Sequence, residues 1–361
     1  MNILKKMVSK QIFIPCAALL LLALFNLISD PSFFKITLGH NSDGDPVLNG
    51  NLITILDYGS ELAILAIGMT LVTAATGGQD ISVGAGIAIA GSVILRILCG
   101  SNSHPTELQT SLVVAFIIAV VVSMAFSAFN GVLVAYFKIQ PMVATLILFT
   151  AGRSIAAWIN NNELPIISTN CDKSFGYWGN YIPGIPIPTP VFIAAISVLI
   201  IMLVLKFTNL KLYTQAVGIN PKSSRLNGLN PELIKVIAFV ILGICVAICG
   251  LIKVSRFQTI NYSVVAKDIE MDAILAVALG GNALSGGKFN MWGSILGAYV
   301  IQFLTTTLYK LEVSSDALPA YKAVVVILLV VTSAPVVREK LSKIFKKKAS
   351  AGSKREGGAA A

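Results

Sequence analysis

Long apolar runs separated by short polar breaks dominate the chain. Ten runs stand out, at 11–28, 52–75, 81–99, 111–136, 141–159, 190–207, 233–252, 271–286, 289–309 and 321–337. A helix needs about 20 apolar residues to cross the hydrocarbon core of a bilayer. Each run therefore reads as a membrane-spanning helix, and the chain as an all-α polytopic membrane protein of about ten spans, some short or broken. The eighth run is interrupted by Gly280, Gly281, Gly286 and Gly287, which predicts a half-helix or re-entrant turn and leaves nine spans as the competing count. Residues 1–337 form the transmembrane domain on this reading, and 338–361 a basic tail that ends in a disordered Gly, Ala and Ser stretch.

Composition agrees with the pattern. At 361 residues, 55% hydrophobic and 12% charged, the chain is too apolar for a soluble domain and too long for a single anchor. Most of its 27 basic residues fall on one side of an even-span topology. Lys5, Lys6 and Lys10, Lys138, the 206–235 loop, Lys288 and the tail share that side, against Lys35, Lys173, Lys253, Arg256, Lys267, Lys310 and Lys322 on the other. The positive-inside rule then places both termini in the cytoplasm. Topology alone accounts for the net charge of +10, so no nucleic-acid partner is implied. The outer loops fall at 29–51, 100–110, 160–189, 253–270 and 310–320, and the prolines of 160–189 predict turns rather than helix. The first run resembles a signal peptide, but Pro15 and Cys16 form no small-residue cleavage site, which predicts an uncleaved helix. Cys245 and Cys249, one turn apart in an apolar run, read as packing residues rather than metal ligands.

The polar breaks carry the candidate chemistry. Thr76-Gly-Gly-Gln-Asp-Ile-Ser-Val-Gly84 sets Asp80 between two spans, where an ionised carboxylate costs roughly 2.5 to 3.5 kcal/mol. A compensating ion pair or a helix cap at the amides near Ser82 is the favoured reading, with substrate contact the alternative. Arg153 lies inside the fifth span and calls for a buried carboxylate or carbonyl partner. Asp57 and Glu61, one turn apart, read as an interfacial helix start. Gly280-Gly281-Asn-Ala-Leu284-Ser285-Gly-Gly287 echoes the first break in the pattern GGxx[IL]SxG, and unwound glycine segments at corresponding places point to a transport path.

The loop between Lys206 and Lys235 is the longest inner connection. Helix formers from Gln215 stop at Gly218, Pro221 opens a second short helix that ends at Asn227 and Gly228, and Pro231 opens the next span. The short helix bearing Arg225 and Leu226 is a peg for a soluble partner. Enzyme readings fail. Gly286-Gly287-Lys288-Phe289 lacks the first glycine and the Ser or Thr of a phosphate loop, and His40 and His104 stand in outer loops without a nucleophile pattern. No catalytic or metal-ligating set is predicted.

TGGQDISVGA, the run KIQPMVATLILFTAGR from Lys138 to Arg153, QAVGIN followed by Arg225 and Gly228, and MDAILAVALGGNALSGGKFNMWGSILGA together resemble permease subunits of bacterial ABC importers for monosaccharides. The likeness is to the ribose, arabinose and galactofuranose group, and it spans Leu52 to Val331 in the expected order. It implies a subunit of the bacterial cytoplasmic membrane that binds no cofactor itself. ATP and Mg would be used by partner ATPase subunits, an extracytoplasmic sugar-binding protein would deliver substrate, and a second permease, identical or homologous, would complete the pore. The resemblance makes Gln215, Ala216, Gly218, Asn220, Arg225, Leu226 and Gly228 the ATPase-coupling loop. The sequence departs from the family's usual Glu at Gln215, Ile at Leu229, and Ile at Gln79 in a block commonly written GGIDLSVG. Polar, uncharged contacts suited to a sugar in transit are Gln79, Ser82, Asn130, Gln140, Asn282 and Ser285, beside Asp80. Competing readings are a nucleoside or branched-chain amino acid permease of the same class, and a secondary transporter coupled through Asp80.

Overall fold

The computed structural model describes residues 13–41, 44–168 and 171–333, so the basic N-terminal arm and the tail 338–361 lie outside the described residues. Each of the ten apolar runs contains a helix: α1 (Phe13–Ser29), α2 (Asn51–Thr76), α3 (Val83–Cys99), α4 (Leu112–Ala135), α5 (Pro141–Ile159), then, past a single turn α6 (Lys173–Gly176), α7 (Thr189–Phe207). After the connecting helices α8 (Leu210–Ile219) and α9 (Pro221–Leu226) come α10 (Pro231–Phe257), α11 (Ile269–Leu279), α12 (Met291–Lys310) and α13 (Leu318–Ser333). By length and composition six of these, α2, α4, α5, α7, α10 and α12, can cross a membrane, with α1 and α3 shorter apolar helices.

Helix α2 is the axis of the bundle. Every residue from Gly59 to Ala75 is buried, as expected of a helix that is apolar all round. It packs on α10 and antiparallel to α12, where Thr70 meets Ser294 at 2.6 Å and Ser60 meets the Tyr299 hydroxyl at 3.5 Å. Helix α4 shows the complementary pattern: Ala115, Ala119, Ser123, Ser127 and Asn130 form a buried small-residue stripe against α10, while Val113, Ile117 and Val121 face outward. Small residues at such a seam let helix backbones approach closely in lipid, and the bare apolar face suits hydrocarbon.

Two sequence expectations about the fold need correction. The loop 29–51 is not wholly irregular, because Thr37–His40 and Pro46–Asn49 pair as an antiparallel hairpin, β1 and β2, so the described fold is not purely helical. Asn41 closes its turn by accepting from the Asp45 amide at 3.0 Å. Nearby, the exposed Asp30 caps the 3₁₀ turn Pro31–Phe34; hydrogen bonding from Ser32 and then pairing with Lys310 at 3.1 Å hold its carboxyl down at about 2.

The seventh span does not stop at Ile252. Helix α10 continues to Phe257 and takes Lys253 and Arg256 out of the expected outer loop, because both find carboxylates on α2. The eighth run is helical only over Ile269–Leu279, the half-helix reading. Between α10 and α11 the chain unwinds, with Gln258 (φ 53°), Ala266 (φ 53°) and Asp268 (φ 65°) in the left-handed region. Each such non-glycine residue costs roughly 1 to 3 kcal/mol and persists only where surroundings hold it. The hold is visible: Ile167 donates to the Gln258 carbonyl at 2.8 Å, and Arg153 grips two carbonyls farther along. Contacts divide the chain after Glu312 into two compact units, the second of which contains α13.

Candidate functional site

The two glycine motifs and the long connecting loop meet at one end of the bundle. Helix α2 ends where Gly77 turns left-handed (φ 69°) and donates to the Thr73 carbonyl at 3.0 Å. A side chain there would stand 2.7 Å from the Ser285 carbonyl oxygen of the second motif, so glycine is required for conformation and space alike. Gln79 bridges the motifs by donating to the Leu284 carbonyl at 3.1 Å, and the Gly287 amide donates to the Ala74 carbonyl at 3.0 Å. Gly218 of α8 completes the junction: an added Cβ would overlap the Ala74 carbonyl oxygen and lie 2.7 Å from the Gly287 nitrogen.

Asp80 is buried beside this junction, two residues before Ser82, the N-cap residue of α3. Its Oδ1 accepts from the Ser82 amide at 2.7 Å and the Ser82 hydroxyl at 2.6 Å. Asn130 on α4 donates to the same hydroxyl at 2.8 Å. Asp80 therefore braces the turn that leads into α3 rather than capping the helix's own first amides, and its compensation is hydrogen bonding rather than an ion pair. Replacing Asp80 by Asn keeps the acceptor and is expected to leave the melting temperature within a few degrees of wild type. Asp80→Ala strands the buried Ser82 amide, at about 1 to 3 kcal/mol, and thermal unfolding of the purified protein should show the difference.

Asn282 spends its side chain inside the second turn, donating to Ser294 Oγ at 2.7 Å and accepting from the Asn290 amide at 2.6 Å. Gln140 and Ser285 are exposed, Gln140 just before α5 and Ser285 at the tip of the second turn. Of the predicted path residues, Asp80, Ser82 and Asn130 form one network. Gln79 links that turn to the second motif, and Asn282 belongs to a separate network through Ser294 and Thr70.

The connecting loop folds as its capping residues dictate except in its first helix, which starts at Leu210 rather than Gln215 and passes through Gly218 to end at Ile219. Asn220 ends α8 and accepts from the Ser223 amide at 3.0 Å to start α9; Asn227 ends α9, Gly228 turns with φ 81°, and Asn230 caps α10. Leu210, Thr214 and Val217 are buried, Gln215 and Ala216 half-buried, and Asn220, Arg225 and Gly228 exposed. Leu226 is 90% exposed. Arg225 pairs with Glu232 at the start of α10. This largely exposed helix pair is a handle rooted at Gly218, which abuts Ala74 in the last turn of α2 and Gly287 of the second glycine turn.

Arg153 donates to the carbonyls of Tyr262 and Val265 at 2.9 and 3.0 Å. The carbonyl partner expected for it thus belongs to the unwound stretch before α11, whose freed backbone groups need such donors.

At the far end of α2 lies a charge cluster that the sequence reading missed. Asp57 and Glu61 do not form an interfacial helix start. Arg256 bonds Asp57 at 2.8 Å and also Glu61, Lys253 meets Glu61 at 2.8 Å, and the Arg256 guanidinium lies 4.2 Å from the centre of the Tyr58 ring. Glu61 is 1% exposed. The available signal was the spacing: carboxylates four apart on one apolar helix, cations three apart on another.

An apolar bundle with a broken crossing, two touching glycine turns and a rooted external handle defines a polytopic membrane transport protein. Residues 51–334 match the family described as branched-chain amino acid transport system / permease component, and the chain belongs to that family. Similar relatives include the fructose import permease protein FruF of Bifidobacterium longum, 34% identical over 96% of this chain and 94% of the relative. The galactofuranose transporter permease protein YtfT of Escherichia coli K12 is 36% identical over 87% of each chain. The ribose import permease protein RbsC of the same strain is 34% identical over 87% of this chain and 90% of the relative. No solved structure matches with significance. The chain is a permease component of a membrane transport system, a transport subunit rather than an enzyme.

Proposed function

We propose that this permease carries a monosaccharide, of the pentose, fructose or galactofuranose kind, across a bacterial cytoplasmic membrane as part of an ABC importer. The observation that carries the reading is the rooting of the handle: Gly218 sits directly on Ala74 and Gly287, so a pull on α8 and α9 reaches the end of α2, just before the first glycine turn, and the second glycine turn. In this arrangement the handle faces the cytoplasm, both termini lie there, and ten helical segments cross or re-enter the membrane. Partner ATPase subunits grip the handle and use ATP and Mg; a sugar-binding protein docks on the opposite face; a second permease completes the pore. Relatives named for fructose, galactofuranose and ribose support the sugar class.

The family description supplies the second reading, a branched-chain amino acid. Uptake by the chain expressed with an ATPase and binding protein separates the two. Labelled D-fructose, D-ribose or galactofuranose is expected to enter and leucine not; leucine uptake without sugar uptake would refute the sugar assignment. In the same cells Arg225→Glu sets two carboxylates against each other at the handle's base. It is expected to abolish ATPase co-purification and uptake while the protein still inserts, and unchanged co-purification would remove Arg225 from the docking surface.

A further inference from the structure

Beside the charge cluster lies a cavity of about 490 Å³, within the roughly 300 to 1,000 Å³ common for small-molecule sites. Helices α2 and α10 wall one side of it with Tyr58, Glu61 and Lys253; Gln302 of α12, Asp272 of α11 and Thr259, Asn261 and Lys267 of the unwound stretch supply the rest of its polar wall. We propose that this cavity is a holding site for a neutral, polyhydroxylated ligand, the station where a sugar handed over on the outer side waits before passage. The proposal deepens the sugar-importer reading and rests on it.

Three observations converge. Charge in the lining balances, Glu61 and Asp272 against Lys253 and Lys267, so the cavity offers strong dipoles without a net field that would select an ion. The groups are those a polyol uses: amides that both donate and accept, a carboxylate with spare lone pairs, an ammonium with three donors and an aromatic ring. Among the described residues the Gln302 side chain makes one long 3.5 Å contact, to Thr306, which leaves its amide available to a ligand. Finally, the wall contains the unwound stretch between α10 and α11, with Ala266 in the left-handed region. Irregular backbone is tolerated at depth where it is buried in protein or lines an aqueous cavity, and in transporters broken helices build binding sites.

The test uses the full chain assembled with its ATPase and binding protein in membrane vesicles. Asn261→Cys, and Val264→Cys as a second position, are labelled with a membrane-impermeant thiol reagent, with the unsubstituted protein correcting for its own cysteines. D-fructose or D-ribose is expected to slow labelling several-fold and L-leucine to leave it unchanged. Gln302→Leu is expected to lower sugar uptake about tenfold, the loss of one to two hydrogen bonds, at equal protein level and equal ATPase co-purification. Sugar import by the unsubstituted complex with labelling indifferent to every sugar overturns the site, as does protection by leucine alone. Protection by sugar in a complex that imports only leucine retains the site and instead overturns the sugar-importer reading.

Discussion

Gly218→Ala is expected to uncouple the transporter: sugar uptake should fall to the background of cells lacking the permease, while the protein inserts in normal amount. The residue is helical and tolerates alanine's conformation, so the effect is purely steric. The new methyl group would overlap the Ala74 carbonyl oxygen and crowd the Gly287 nitrogen, both backbone atoms unable to swing away. Overpacking of this kind costs typically 1 to 3 kcal/mol, relieved by lifting α8 off the junction and losing the mechanical contact. ATPase co-purification should survive, because the exposed face of α9 with Leu226 is untouched. The check is uptake set against nucleotide hydrolysis in the same preparation. Uptake retained by Gly218→Ala would show that the handle does not work through the glycine turns.

The second large effect is on stability. Arg256→Met removes the cation shared by Asp57 and Glu61 and leaves Asp57 without its partner in a largely buried setting. Breaking a buried ion pair from one side typically costs about 3 to 5 kcal/mol, so the melting temperature in detergent should drop sharply. Lys253 still neutralises Glu61 at 2.8 Å, which marks Asp57 as the stranded charge. The double variant Arg256→Met with Asp57→Asn is therefore expected to recover much of the loss. A single variant as stable as wild type, or a double variant no better than the single, would show that the cluster does not hold α2 to α10.

These variants divide along the same line as the legibility of the chain. The handle was readable because its boundaries are local chemistry: Asn220 and Pro221, Asn227 and Gly228, and Asn230 and Pro231 each set a helix end within a few residues. The apolar spans were readable for the same reason. Non-local features were not. The contact of Gly77, Gly218 and Gly287 joins segments far apart in the chain, and the pairing of Asp57 and Glu61 with Lys253 and Arg256 spans almost 200 positions. Without those carboxylates Lys253 and Arg256 look like the start of a loop, which is why the seventh helix was placed too short. The unwinding before α11 gave no glycine signal either, since Gln258, Ala266 and Asp268 take left-handed conformations on the support of Arg153 and the 160–168 loop. Asp80 stands between the two cases. Its partner Ser82 is two residues away and was foreseen, whereas the support from Asn130 comes from another helix.

The central claim is that this chain supplies the passage and the handle while a separate subunit supplies the energy. Purified permease in liposomes, with and without the ATPase, binding protein and ATP, tests it most directly by accumulation of labelled sugar. Accumulation is expected only when all components and ATP are present, and to vanish with Gly218→Ala. Accumulation by the chain alone, driven by a proton or sodium gradient, would contradict it.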